Sequence, residues 1–172
     1  MLVGDKSRFA IEFELDEEKL ADSALAEWLY GRIRWWCGGE PVGLFDDDTT
    51  LRDAAIEAER VLAAADGRRD DALMQVPAQE VVDTIVRALF EDRGQSDEEL
   101  AADEKKYRPF LVRPLIGEFD AWDVFVIEGA REARLIWRLA GDARINETRL
   151  AIGEFDTVLK KFLTELRSTS IR

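Results

Sequence analysis

The run Trp122-Asp123-Val124-Phe125-Val126-Ile127-Glu128-Gly129-Ala130-Arg131-Glu132-Ala133-Arg134-Leu135-Ile136-Trp137-Arg138-Leu139 holds two strands and the turn between them. Trp122 to Ile127 is apolar on both faces, as in a central strand, and Ala133, Leu135, Trp137 and Leu139 alternate with Arg134, Ile136 and Arg138. Glu128-Gly129-Ala130-Arg131 joins the two as a hairpin. Downstream, the turn signal Gly141-Asp142 precedes a weaker strand over 145–150. The last element, 154–167, aligns Phe155, Val158, Leu159, Phe162, Leu163 and Leu166 on one helical face.

Upstream, a helix begins near Pro77, which is tolerated in a first turn, and buries Val81, Val82, Ile85, Leu89 and Phe90. Residues 91–108 read as charged and irregular, with a helical turn or two. Leu51, Ala54, Ala55, Ala58, Val61, Leu62 and Ala65 form a second helical stripe that ends at Gly67, with Thr50 and Asp53 at capping-box spacing. Near the start, Phe9, Ile11, Phe13 and Leu15 alternate with polar residues over 7–15, the period of a half-buried strand. A short amphipathic helix is expected over 17–29. A second aromatic strand, 30–37, runs into Gly38-Gly39, a pair suited to a tight hairpin, and returns over 41–45. The pattern is α+β: a single domain over 1–172, mainly antiparallel, with the strands near 7–15, 30–37, 122–128 and 132–139 in one sheet and helices packed on it, the C-terminal amphipathic helix among them.

The composition is that of a folded, soluble protein, 47% hydrophobic and 35% charged over 172 residues. No stretch approaches the ~18 apolar residues that span a bilayer, and the first residues lack the pattern of a signal peptide, so a cytoplasmic location without membrane attachment is expected. Cys37 is the single cysteine, which excludes an internal disulfide. The formal net charge is −13. Residues 1–60 carry 15 acids against 7 bases and 61–110 carry 12 against 7, while 111–172 are balanced at 10 and 10. Such a field repels nucleic acid and steers a basic partner toward the N-terminal two-thirds; acidity that only secures solubility is the alternative.

The chain contains no histidine. That removes Ser-His-Asp and Cys-His nucleophile pairs and the commonest zinc ligands. Cys37 lacks a second cysteine and sits in an aromatic strand, where a buried small hydrophobe is the simpler reading. Asp46-Asp47-Asp48 offers oxygen ligands for a hard cation, yet the glycine and terminal glutamate of a calcium loop are absent and a solvated helix entry accounts for the run. Glu118, Asp120 and Asp123 are pairs of a kind any acidic chain supplies, with nothing to mark them as a glycosidase dyad. No catalytic residue, metal site or cofactor site is assigned. Trp122 and Trp137 read as core. Trp35 and Trp36 are adjacent on a strand and point to opposite faces, so one of them is a candidate exposed anchor.

Four segments together resemble the Imm42-like immunity proteins of bacterial polymorphic toxin systems: Val3-Gly4-Asp5-Lys6-Ser7-Arg8-Phe9-Ala10-Ile11, Phe119-Asp120-Ala121-Trp122-Asp123-Val124-Phe125, Arg134-Leu135-Ile136-Trp137 and Leu150-Ala151-Ile152-Gly153-Glu154-Phe155-Asp156. Residues 16–114 carry no matching motif. The resemblance implies a cytoplasmic protein that binds one cognate toxin domain and blocks it, with no catalytic residues of its own. If that toxin is a nuclease, its substrate groove is basic and an acidic protein fits it. The expected contact residues are Asp46, Asp47 and Asp48, the cluster Asp97, Glu98 and Glu99, and Trp36 as an anchor. A non-toxin adaptor and a carboxylate-dependent metal enzyme are the other readings of the residues.

Overall fold

The computed structural model describes residues 1–46 and 48–170. The strands expected in one sheet belong to two. The first sheet runs in the order β1 (Leu2–Asp5), β2 (Phe9–Leu15), β3 (Tyr30–Cys37) and β4 (Glu40–Val42), with β5 (Thr49–Thr50) pairing the start of β3. The second is β6 (Trp122–Glu128), β7 (Glu132–Leu139) and β8 (Asn146–Ala151). All pairings within them are antiparallel.

Burial explains the division. Phe9, Ile11, Phe13, Ile33, Trp35 and Cys37 form the inner face of the first sheet and share one core with Val124, Val126, Leu135 and Trp137 of the second. The opposite face of the second sheet, with Phe125, Ile127 and Ile136, is buried in a separate core. The second sheet is therefore a middle layer. That is why Trp122 to Ile127 is apolar on both faces, a pattern equally compatible with the centre of a single wide sheet. Arg134, which alternates with Ala133 and Leu135 on β7, is 2% exposed. Its guanidinium donates to the carbonyls of Leu73 at 2.8 Å and Val76 at 2.7 Å and pairs with Glu147 at 2.6 Å, which makes its burial tolerable.

The helices fill the remaining faces. α2 (Leu51–Ala63) and α5 (Glu154–Ser170), far apart in sequence, bury Leu51, Ala54, Ala58 and Val61 and Phe155, Leu159, Phe162 and Leu166 in the first core. α3 (Ala78–Phe90) closes the second core with Val81, Val82 and Ile85. Phe90, expected inside, is 51% exposed at its C-terminal end. Thr50 caps no backbone N–H of α2; its hydroxyl bonds the Asp53 carboxylate instead.

Two segments depart further from expectation. The helix over 17–29 is broken: α1 (Glu17–Ala21) stops at Asp22, whose carboxylate accepts from the Ala24 N–H at 2.9 Å, and a 3₁₀ turn follows over Ala26–Trp28. Aspartate bonding its own neighbourhood is the usual competitor of helix propagation. Conversely, the charged segment over 91–108 contains α4 (Asp97–Tyr107), started by a capping box in which Ser96 accepts from the Glu99 N–H and Glu99 accepts from the Ser96 N–H at 2.8 Å. None of its residues is buried, and the absence of an apolar stripe is what concealed it.

The Gly38-Gly39 turn forms as expected. Both glycines lie in the left-handed region, at φ +55° and +88°, and a Cβ on Gly38 would come within 2.7 Å of the Trp137 ring. The hairpin thereby docks against the second sheet.

Candidate partner-binding surface

With one face of the first sheet committed to the core, the alternate residues of β2 and β3 point away from it. Cross-strand register sets Glu12 opposite Arg34, Glu14 opposite Arg32, and Ala10 opposite Trp36. Tyr30, Arg32, Arg34 and Trp36 are all half-buried, whereas their neighbours on β3 are buried. Of the adjacent tryptophans, Trp35 is thus the inward one, 2% exposed and packed on Phe9, Phe119 and Phe155. Trp36 is the outward one.

Glu12 organises this face. One carboxylate oxygen accepts from the Trp36 indole N–H at 2.7 Å, from Arg34 Nε at 2.8 Å and from Lys6 Nζ at 3.3 Å. Burial alone would raise the Glu12 carboxyl pKa, but the hydrogen bonds from Arg34, Trp36 and Lys6 outweigh it and hold the group below its ordinary value. The Lys6 ammonium lies 4.1 Å and the Arg34 guanidinium 4.8 Å from the centre of the Trp36 ring. Arg34 also lies 4.5 Å from the Phe45 ring centre, with Arg32 at 5.6 Å from the same ring. Arg32 pairs with Glu14 at 3.2 Å. Aromatic rings interleaved with paired cations make up this face.

Phe45 leads directly into the acidic run. Asp46 and Asp48 are exposed, and Asp47 lies outside the described residues. Asp48 is engaged by Lys19, which also reaches Asp16 at 3.4 Å, so part of the run ties α1 to the segment before β5. Hydrogen bonding to Asp48 raises the Lys19 pKa. Glu14, Asp16, Glu17, Glu18, Asp46 and Asp48, with Arg32 among them, line an open cleft of about 470 Å³.

The fold therefore brings Trp36, Asp46 and Asp48 to one side of the first sheet, connected through Phe45 and Arg32. It carries Asp97, Glu98 and Glu99 elsewhere: they form the exposed first turn of α4, on the second core's side of the molecule, and belong to a helix rather than a loop. Glu99 is further committed to the capping box. Glu12, Lys6, Arg32, Arg34 and Phe45 were not singled out from sequence. Alternating acids at 12 and 14 and bases at 32 and 34 were visible, but only the register shows that they face one another.

Other acids have structural partners. Asp123 pairs with Arg138 at 2.9 Å and Asp120 with Arg113 at 3.5 Å. Among the described residues, no group of three or more histidine, cysteine, aspartate or glutamate side chains is placed to hold a metal ion, and no helix is long and apolar enough to cross a membrane. Cys37 is fully buried, and burial pushes its thiol pKa far up.

The family model for Immunity protein 42 matches residues 1–165. The chain belongs to the Immunity protein 42 family. The match includes 16–114, the part in which no motif was recognised from sequence. In fold, this family member is similar to the crystal structure of CdiI from Burkholderia dolosa AUO158, with a TM-score of 0.72 and 18% sequence identity over 96% of this chain and 99% of that one. No curated protein matches it.

Proposed function

We propose that this Immunity protein 42 member, acting in the cytoplasm as one unit over residues 1–172, neutralises a single cognate toxin domain by stoichiometric binding and without turnover. The observation that carries this reading is the family match over 1–165. The missing histidine and the buried, proton-bound Cys37 accord with a protein that acts by occupancy.

The toxin presents a basic surface, and a nuclease is the target class the charge favours. A nuclease binds its polyanionic substrate in a cationic groove, and an inhibitor must exclude that substrate. The excess acidity before residue 111 supplies matching potential. Asp46, Asp47 and Asp48 are this chain's acidic contacts together with Asp97, Glu98 and Glu99, of which Asp46 and Asp48 lie on the first-sheet side and the last three at α4, with Trp36 as the anchor. Nucleic acid and membrane are not partners in this reading. The test is coexpression with the toxin domain encoded beside this chain's gene: cells survive when the protein is present and die without it. Death in both cases would reject the proposal.

A further inference from the structure

We infer that the outward face of the first sheet, centred on Trp36 and Phe45, is where the toxin domain docks; this rests on the immunity reading above and narrows it to one surface. The partner's complementary patch is an apolar or planar surface flanked by lysine or arginine on one side.

Three observations carry it. First, the two faces of this sheet differ: Phe9, Ile11, Phe13, Ile33 and Trp35 are buried on one, whereas on the other Ala10 is buried but Glu14 and Pro41 are exposed and Tyr30, Arg32, Arg34 and Trp36 are half-buried. Second, Trp36 is held in place before any partner arrives. Its N–H is taken by Glu12 and its ring has Lys6 and Arg34 within 5 Å of the centre, so little side-chain freedom remains to be lost on binding. Tryptophan and arginine so placed are the residue types that dominate interface energies.

Third, the charges choose the occupant. Lys6, Arg32 and Arg34 are offset locally by Glu12 and Glu14, three cations against two acids, which leaves the centre with one net positive charge. The side toward Asp46, Asp48, Glu17 and Glu18 is acidic. A second copy of a chain carrying −13 would set acid against acid across this face, while a basic protein completes it.

The experiment uses the full chain and the toxin domain encoded beside its gene. Trp36→Ala and Phe45→Ala should each weaken the measured affinity roughly 30-fold or more, while Lys160→Ala and Thr164→Ala, on the exposed side of α5, should stay within about threefold. Each variant's melting curve reports whether it folds. Amine-acylation footprinting of the unaltered complex needs no variant: Lys6 should be shielded by the toxin domain while Lys160 and Lys161 react as in the free protein. Binding of Trp36→Ala and Phe45→Ala at the parent affinity, or a Lys6 that reacts equally in the complex, would overturn the assignment of this face. A parent protein that fails to bind the toxin domain at all would overturn the immunity reading and this proposal with it.

Discussion

Glu12 accepts the Trp36 indole N–H at 2.7 Å across the outward face of the first sheet. The bond turns a tryptophan that would otherwise sample several rotamers into a fixed part of the surface, and the same oxygen gathers Arg34 and Lys6 around the ring. The ring's polar atom is thereby satisfied within the chain.

That contact has a pH signature. The folded Glu12 carboxyl lies below its ordinary 4.5. A depressed carboxyl contributes stability that is complete above the unfolded value and is lost as pH falls through the folded one. Acid titration should therefore loosen Trp36 below about pH 4.5, seen as a fluorescence change that Trp36→Phe removes. Glu12→Gln should abolish that pH step. An unchanged titration in Glu12→Gln would mean that this carboxylate does not hold the indole.

Glu128 works in the opposite direction. Burial raises its carboxyl pKa above the ordinary 4.5, with the charge of Arg68 opposing the shift and that of Asp156 adding to it. For a raised carboxyl the folded state binds the proton more tightly, so stability falls as pH rises from the ordinary value through the folded one. Glu128→Gln should raise the melting temperature at neutral pH and flatten its decline above pH 4.5. A lower melting temperature would show that the attraction of the Arg68 charge outweighs desolvation.

Phe162 tests the packing of α5. It is 1% exposed and meets Phe13 edge-on at 5.1 Å, joining the helix to the first sheet. Phe162→Ala should cost about 3–5 kcal/mol in denaturant unfolding, the range for deleting a buried aromatic ring. A loss below about 1 kcal/mol would mean that the helix is not docked through this ring.

How much of this was legible follows from particular residues. The alternation in 9–15, the aromatic and branched content of 30–37 and the stripe from Phe155 to Leu166 declare their elements because one face of each is buried in a single core. The division into two sheets was not legible, since a strand apolar on both faces fits a wide central sheet and a covered middle layer alike. Ser96 and Glu99 spelled out a helix start, but no apolar periodicity followed to draw attention to it. The adjacency of Trp35 and Trp36 required opposite faces; which one faced outward depended on Phe9 and Phe155, distant in sequence, packing on Trp35. Phe45 could not be placed beside Arg34 without the fold.

The acidic run is expected to act on encounter. Asp46 and Asp48 are exposed, and surface charges chiefly set association rate and its salt dependence. Replacing Asp46, Asp47 and Asp48 by asparagine should slow association with the toxin domain severalfold and flatten the salt slope. Loss of the exposed Lys19–Asp48 pair should leave stability nearly unchanged. Association at the parent rate and salt slope would assign the run to α1 packing alone.

Titrating a fixed amount of the toxin domain with the purified chain, and measuring the toxin's own activity, tests occupancy most directly. The account predicts a linear fall that reaches zero at one equivalent. Inhibition that continues when toxin is in large excess, or activity that persists beyond one equivalent at concentrations far above the dissociation constant, would contradict it.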